Sequence, residues 1–171
     1  MKKFKAPVSK FEKGLWSYHI IVPQKIYNDL TKSGNKRIMC SINKLERFHA
    51  GFMPDGNGQW FIKLNKEKMK DFGLTVGEEV TIEVKSDTSK YGMALPNEFE
   101  EVLVQDIEGA EYFEKLTEGK KRSLIYLIAK VKNTDKRIIK SLIILDHLKA
   151  NSGKLDFKLL NVAFKENNKF S

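Results

Sequence analysis

The sequence predicts an α+β chain in two parts: a small closed or nearly closed β-barrel with short helices over residues 1–91, and an all-helical domain over residues 92–171. Three observations carry this. Short apolar or alternating runs separated by turn residues extend to about Tyr91, as in a β-rich unit. The period turns helical at Met93-Ala94-Leu95-Pro96. A length of 171 residues leaves room for one domain or two small ones at roughly 150 residues per domain.

Leu15-Trp16-Ser17-Tyr18-His19-Ile20-Ile21-Val22 is rich in aromatic and β-branched residues and stops at Pro23, as a strand would. Pro23 opens a short helix carrying Ile26, Tyr27 and Leu30 and closed by Ser33-Gly34. In the next strand, residues 37–42, Ile38, Cys40 and Ile42 face one way, and residues 48–52 continue the sheet. Pro54-Asp55-Gly56-Asn57-Gly58 is a hairpin turn, because Gly and Asn tolerate positive φ, and residues 59–64 return from it. Residues 66–72 make one or two helical turns stopped by Gly73, and Val80, Ile82 and Val84 alternate with polar residues in a half-buried strand. Short strands interrupted by short helices favour a barrel, which removes open sheet edges. Beyond the join at residues 86–96 come four helical segments. Phe99, Val102 and Leu103 follow an Asn97 cap; Tyr112, Phe113 and Leu116 form the second; Leu124, Ile125, Leu127, Ile128 and Val131 the third. The fourth carries Ile138, Ile139, Leu142, Ile143, Leu145 and Leu148 between a Thr134 cap and the Asn151-Ser152-Gly153 stop.

Composition removes several function classes. The longest apolar run, residues 124–129, is far short of the roughly 20 residues of a membrane helix. Met1-Lys2-Lys3-Phe4-Lys5 has no apolar stretch behind it, so the expected location is the cytoplasm. With Cys40 as the sole cysteine, neither an intramolecular disulfide nor a Cys-based zinc site can form. His19, His49 and His147 show no metal-binding spacing, and no nucleophile elbow or phosphate-binding glycine loop occurs. Cys40 sits in an alternating apolar stretch, where a small core residue is expected rather than a nucleophile. Neighbouring side chains on a strand point apart, so Glu78-Glu79 is not expected to share a proton. No catalytic residue, metal or cofactor is expected.

The net charge of +9 is uneven: +7 up to residue 94, −7 over residues 95–118, and +9 over residues 119–171. The last two segments carry opposite charge and can attract each other, and the basic run is expected to be either a solvated face or balanced within the fold rather than a binding surface. The candidate anion- or nucleic-acid-binding residues are Lys36, Arg37, Lys44 and Arg47, with Trp16 and Trp60 as stacking surfaces, and Lys120, Lys121, Arg122, Lys136 and Arg137 in the tail. Aromatics stack on bases and cations follow phosphates, but the same rings also fill a small barrel. The two consecutive tail helices suggest a DNA-reading pair, yet the second is too apolar to read bases and is expected to be buried.

The order of these motifs resembles known families. Ile21-Val22-Pro23, Lys36-Arg37-Ile38, Pro54-Asp55-Gly56 and Gly73-Leu74-Thr75-Val76-Gly77 are similar to a bacterial domain family of unassigned function whose members look like double-split β-barrels, related in architecture to MazE-like and AbrB-like transcription factors. Residues 116–122, Ile128-Ala129-Lys130, Thr134 and residues 137–139 resemble the YdeI/OmpD-associated, or bacteriocin-protection, family. The resemblance implies a part in bacterial stress tolerance or bacteriocin protection. The expectation is thus a non-enzymatic bacterial binding protein. Its partner is an unidentified protein or a nucleic acid, with self-association a further option. Two other readings stand beside it. One is a protein-contact role through the acidic residues 98–118. The other is an enzyme in which His19 or His49 meets a carboxylate such as Glu46 or Glu83.

Overall fold

The computed structural model describes residues 1–12 and 18–169, with side chains to residue 167. The chain divides into two compact units, Met1–Gly92 and Met93–Ser171. The first contains strands β1 (Lys2–Pro7), β2 (Ser9–Lys10), β3 (Tyr18–Val22), β4 (Arg37–Ile42), β5 (Phe48–Pro54), β6 (Trp60–Leu64) and β7 (Glu79–Ser86), with helices α1 (Gln24–Leu30) and α2 (Lys66–Asp71). Every pairing is antiparallel, in the order β1-β7-β4-β5-β6-β3-β2.

Two strands turn this ribbon into a near-barrel by dividing their pairing. Residues 2–7 pair with β7, and residues 9 and 10 of the same run pair with β3. Between them Val8 keeps both backbone groups bonded, its N–H to the Glu78 carbonyl and its carbonyl to the Gly77 N–H. Likewise Phe48–Gly51 pair with β4, while Phe52–Pro54 pair with β6. This is the split-barrel arrangement that the motif order implies. Ile20, Val22, Ile38, Cys40, Ile42, Ile62, Leu64, Val80, Ile82 and Val84 fill the interior, as their alternation in the sequence requires. The expected strand begins at Tyr18 among the described residues; Leu15, Trp16 and Ser17 lie outside them. β1 goes beyond the sequence expectations, its inward residues Phe4 and Ala6 being masked by intervening lysines.

The second unit contains α3 (Asn97–Gln105), α4 (Ile107–Glu114), α5 (Glu118–Ala129), α6 (Thr134–Ala150) and α7 (Phe157–Lys169). Its core joins Phe99, Phe113, Leu124, Ile125, Ile128, Ile144, Leu145, Leu148 and Leu160, with Phe99 set edge-on to Phe113 at 5.0 Å. Two expected caps are displaced by one residue. Pro96, which has no N–H and fixes φ, precedes α3, so Asn97 is already helical. Asn133 rather than Thr134 caps α6, accepting from the Lys136 N–H at 2.9 Å. The buried stripe of α6 is Ser141, Ile144, Leu145 and Leu148, whereas Ile138 and Leu142 are 37% and 44% exposed. Ser141 disguises this stripe in the sequence; its hydroxyl donates to the Arg137 carbonyl at 2.8 Å and so is buried without an orphaned group. α7 is a further element that the sequence expectations lacked.

Candidate functional site

Trp60 and Lys36 lie toward one end of the barrel. Trp60, Ile62 and Leu64 share a face of β6, the last two fully buried and Trp60 half-buried at the mouth. The Tyr27 ring from α1 stacks on Trp60 at 4.0 Å with an 8° interplanar angle. The exposed Lys36 ammonium sits 4.7 Å from the same ring. Trp60 is therefore anchored, and a planar ligand reaches it by displacing a lysine. Lys44 and Arg47 are exposed at the opposite end of β4, Lys44 within and Arg47 beyond a turn with positive φ at both Asn43 and Lys44. The four candidate cations of the barrel, Lys36, Arg37, Lys44 and Arg47, consequently do not form one track. Trp16 lies outside the described residues.

Arg37 belongs to a clasp on the outer face of β4 and β5. Its Nη2 donates to the Gly92 carbonyl at 2.7 Å, and the Asn35 side chain bridges the Arg37 N–H and the Asp87 carbonyl. Asp87 is buried, and its carboxylate meets His49 Nδ1 at 2.8 Å, the Ser89 hydroxyl at 2.6 Å and the Ser89 N–H at 2.9 Å. Burial works against the charge, but the bonds from Ser89 and His49 outweigh it and hold the carboxyl below its ordinary range. A histidine thus does meet a carboxylate, and the partner is Asp87 rather than Glu46 or Glu83. The order of groups is not that of a nucleophilic triad, because Ser89 bonds the carboxylate and not the imidazole.

The cysteine and the other two histidines are buried. Cys40 is fully buried, and burial pushes its thiol up to about 12. His19 is buried with its ring 3.7 Å from Phe11, and burial lowers its pKa. His147 accepts the Asp156 N–H through Nε2 at 3.2 Å and is likewise lowered by burial. Glu78 accepts from Thr75 while Glu79 faces Lys5, so the adjacent carboxylates do point apart. Among the described residues no three His, Cys, Asp or Glu side chains are grouped to hold a metal, and no helix is long and apolar enough to cross a membrane.

In the helical unit the acidic segment neutralises part of the basic one. Lys121 is buried between Glu114 and Glu118 at 3.2 and 3.1 Å. Burial alone would lower its pKa, but the two carboxylates raise it. Arg137 binds Glu98 at 3.1 Å and the Val131 carbonyl, and Lys149 binds Asp106 at 2.7 Å. Arg122 lies 3.9 Å from Glu118, while Lys120 and Lys136 are exposed. Lys121 and Arg137 are thereby committed to internal carboxylates.

The acidic segment also has an outward face, where Val104 and Ile107 are each 72% exposed. Glu100, Glu101, Glu108 and Glu111 are exposed beside them in sequence on α3 and α4. A shallow hollow of about 450 Å³ is lined there by Leu103, Ile107, Ala110, Glu111, Glu114 and Lys115. Apolar side chains set beside exposed carboxylates, with Lys115 as a cation in the same lining, have the chemistry to meet a cationic amphipathic segment.

Fold and site together define a two-unit α+β protein in which a split barrel precedes a helical unit with charged faces. Residues 4–84 match the family described as Domain of unknown function (DUF1905), and residues 93–151 match OmdA, described as Bacteriocin-protection, YdeI or OmpD-Associated. The chain carries a DUF1905 domain followed by an OmdA domain. No curated protein matches it.

Proposed function

We propose that this chain is a non-enzymatic binding protein of the bacterial cytoplasm, contributing to bacteriocin protection or stress tolerance by holding a cationic amphipathic peptide or protein segment. The exposed Val104 and Ile107 in their acidic surround on α3 and α4 carry the reading. The match of residues 93–151 to a bacteriocin-protection family supports it. Cationic side chains of the partner would meet Glu100, Glu101, Glu108 and Glu111 while its apolar side chains cover Ile107.

Calorimetric titration of the full chain with a synthetic Lys/Leu amphipathic helix tests this. Binding is expected at low salt and should weaken on adding salt, since the charges lie at the surface. Reversing Glu108 and Glu111 to Lys should cost about tenfold in affinity. Absence of binding at low salt removes the proposal.

Lys36 over Trp60 favours a second reading, in which the barrel mouth binds single-stranded nucleic acid. An electrophoretic shift with single-stranded and duplex probes should then appear at low salt and fade steeply as salt rises. It should be lost in Trp60→Ala. A wild-type chain that shifts neither probe at low salt eliminates this version.

A further inference from the structure

The helical unit has a second concavity whose charge is opposite to that of the α3–α4 face. It lies between α6 and α7, has a volume of about 460 Å³, and is lined by Val131, Ile139, Ile143 and Phe164 with Lys136 and Lys140. That volume is within the range of small-molecule sites, roughly 300–1,000 Å³. The half-buried Lys140 projects its ammonium 4.7 Å from the Phe164 ring, and among the described residues no carboxylate pairs with it. Burial and the nearby charge of Lys130 both push its pKa down, so an arriving anion would relieve a desolvated cation. Lys136 is exposed at the rim, and among the described residues Asp135 is the one carboxylate in the lining. The cations therefore outnumber the acid over an apolar floor. Among the described residues the other buried or half-buried cations of this unit, Lys121, Arg122, Arg137 and Lys149, each have a carboxylate within 4.0 Å, and Lys140 departs from that pattern. Phe164 lies beyond the residues that match OmdA, and α7 is needed to complete the concavity.

We infer that the cleft between α6 and α7 binds a small amphipathic anion: a free carboxylate with an apolar body of medium length. The head group sits between Lys136 and Lys140, and the chain lies along Ile139, Ile143 and Val131. Lys140 is the principal contact, because an ammonium held against an aromatic face is already partly stripped of water. The site is independent of the α3–α4 face, which takes charge of the opposite sign.

Titrating the full chain with decanoate, and separately with decyltrimethylammonium, tests both parts of the inference by calorimetry and methyl NMR. Decanoate should saturate below its micelle-forming concentration and move the Ile139 and Ile143 methyl resonances, with the cationic analogue at least about tenfold weaker. Lys136→Gln with Lys140→Gln should weaken decanoate about tenfold. Its thermal unfolding midpoint should stay within a few degrees of the parent, which separates lost binding from lost folding. Equal affinity for the two head groups, shifts confined to other methyls, or no saturation by decanoate would each overturn the assignment.

Discussion

Two basic runs of this chain meet opposite fates. Lys36-Arg37 opens a barrel strand, with Lys36 exposed over an aromatic ring, whereas Lys121 of the run at residues 120–122 is buried between two carboxylates. Residue type and clustering are nearly the same. The difference is the neighbourhood: Lys36 meets a ring and Arg37 a backbone carbonyl, while Lys121 meets carboxylates of the acidic segment, as Arg137 and Lys149 also do. A charge run thus reports a binding surface only after its internal partners have been counted.

The largest expected effects test whether the two regions, so unlike in their charges, rest on equally tight cores. Ile82→Ala in β7 and Leu124→Ala in α5 remove fully buried side chains. Each should cost about 2–5 kcal/mol in chemical denaturation. A much smaller loss in one would show that its interior collapses around the cavity.

A second contrast lies within the helical unit. A Cβ on Gly109 would come 2.8 Å from Leu145 Cβ and 2.7 Å from Asp106 Oδ2, while one on Gly119 meets nothing within 4 Å. Gly109→Ala should therefore destabilise by about 1–3 kcal/mol despite the better helix former. Gly119→Ala should stabilise by about 0.5–1 kcal/mol. Equal effects would mean that α4 and α6 are not in close approach.

The paired and unpaired lysines give the next contrast. Lys121→Ala should cost about 1 kcal/mol, its carboxylate partners being partly exposed, and Lys36→Ala less than about 0.5 kcal/mol. Urea midpoints check both, and a reversed order would break the comparison between the two regions.

The smallest effect is acid sensitivity. Burial lowers His19 in the barrel and His147 in the helical unit, so the unfolded chain binds protons that the folded one resists. Their stabilising effect is complete above the ordinary histidine value of about 6.5 and is lost as pH falls below it toward the depressed folded values. Thermal midpoints across that window should decline with acidification, and His19→Phe should flatten the decline. A midpoint indifferent to pH there would show that neither ring is desolvated.

Much of the barrel was legible because its inward residues alternate: Ile38, Cys40 and Ile42, then Val80, Ile82 and Val84, all buried. β1 follows the same period, but Lys2, Lys3 and Lys5 make it read as a charged tail. α6 is apolar on nearly every side, so periodicity alone did not identify its packed face; a buried serine decided it. The candidate site was less legible. Asp87 lies 38 residues from His49 and falls in a linker-like stretch, so only the fold joins them. Val104 and Ile107 look like ordinary helix residues until the backbone leaves them uncovered. The separation of Lys36 from Lys44 was implicit in strand length, and the commitment of Lys121 to Glu114 and Glu118 in helical spacing.

The strand formed by residues 2–10 has a kinetic consequence. Its first part pairs with β7, so β1 cannot find its partner until residues 79–84 have left the ribosome. Such distant pairing makes closure the slow event in folding the first unit, while the helical unit can assemble from neighbours nearer in sequence. During that interval β1 has no partner strand, whereas residues 9 and 10 can already meet β3 nearby in sequence. The nascent chain is most vulnerable to sticking to other chains in this window, well before its second unit is made.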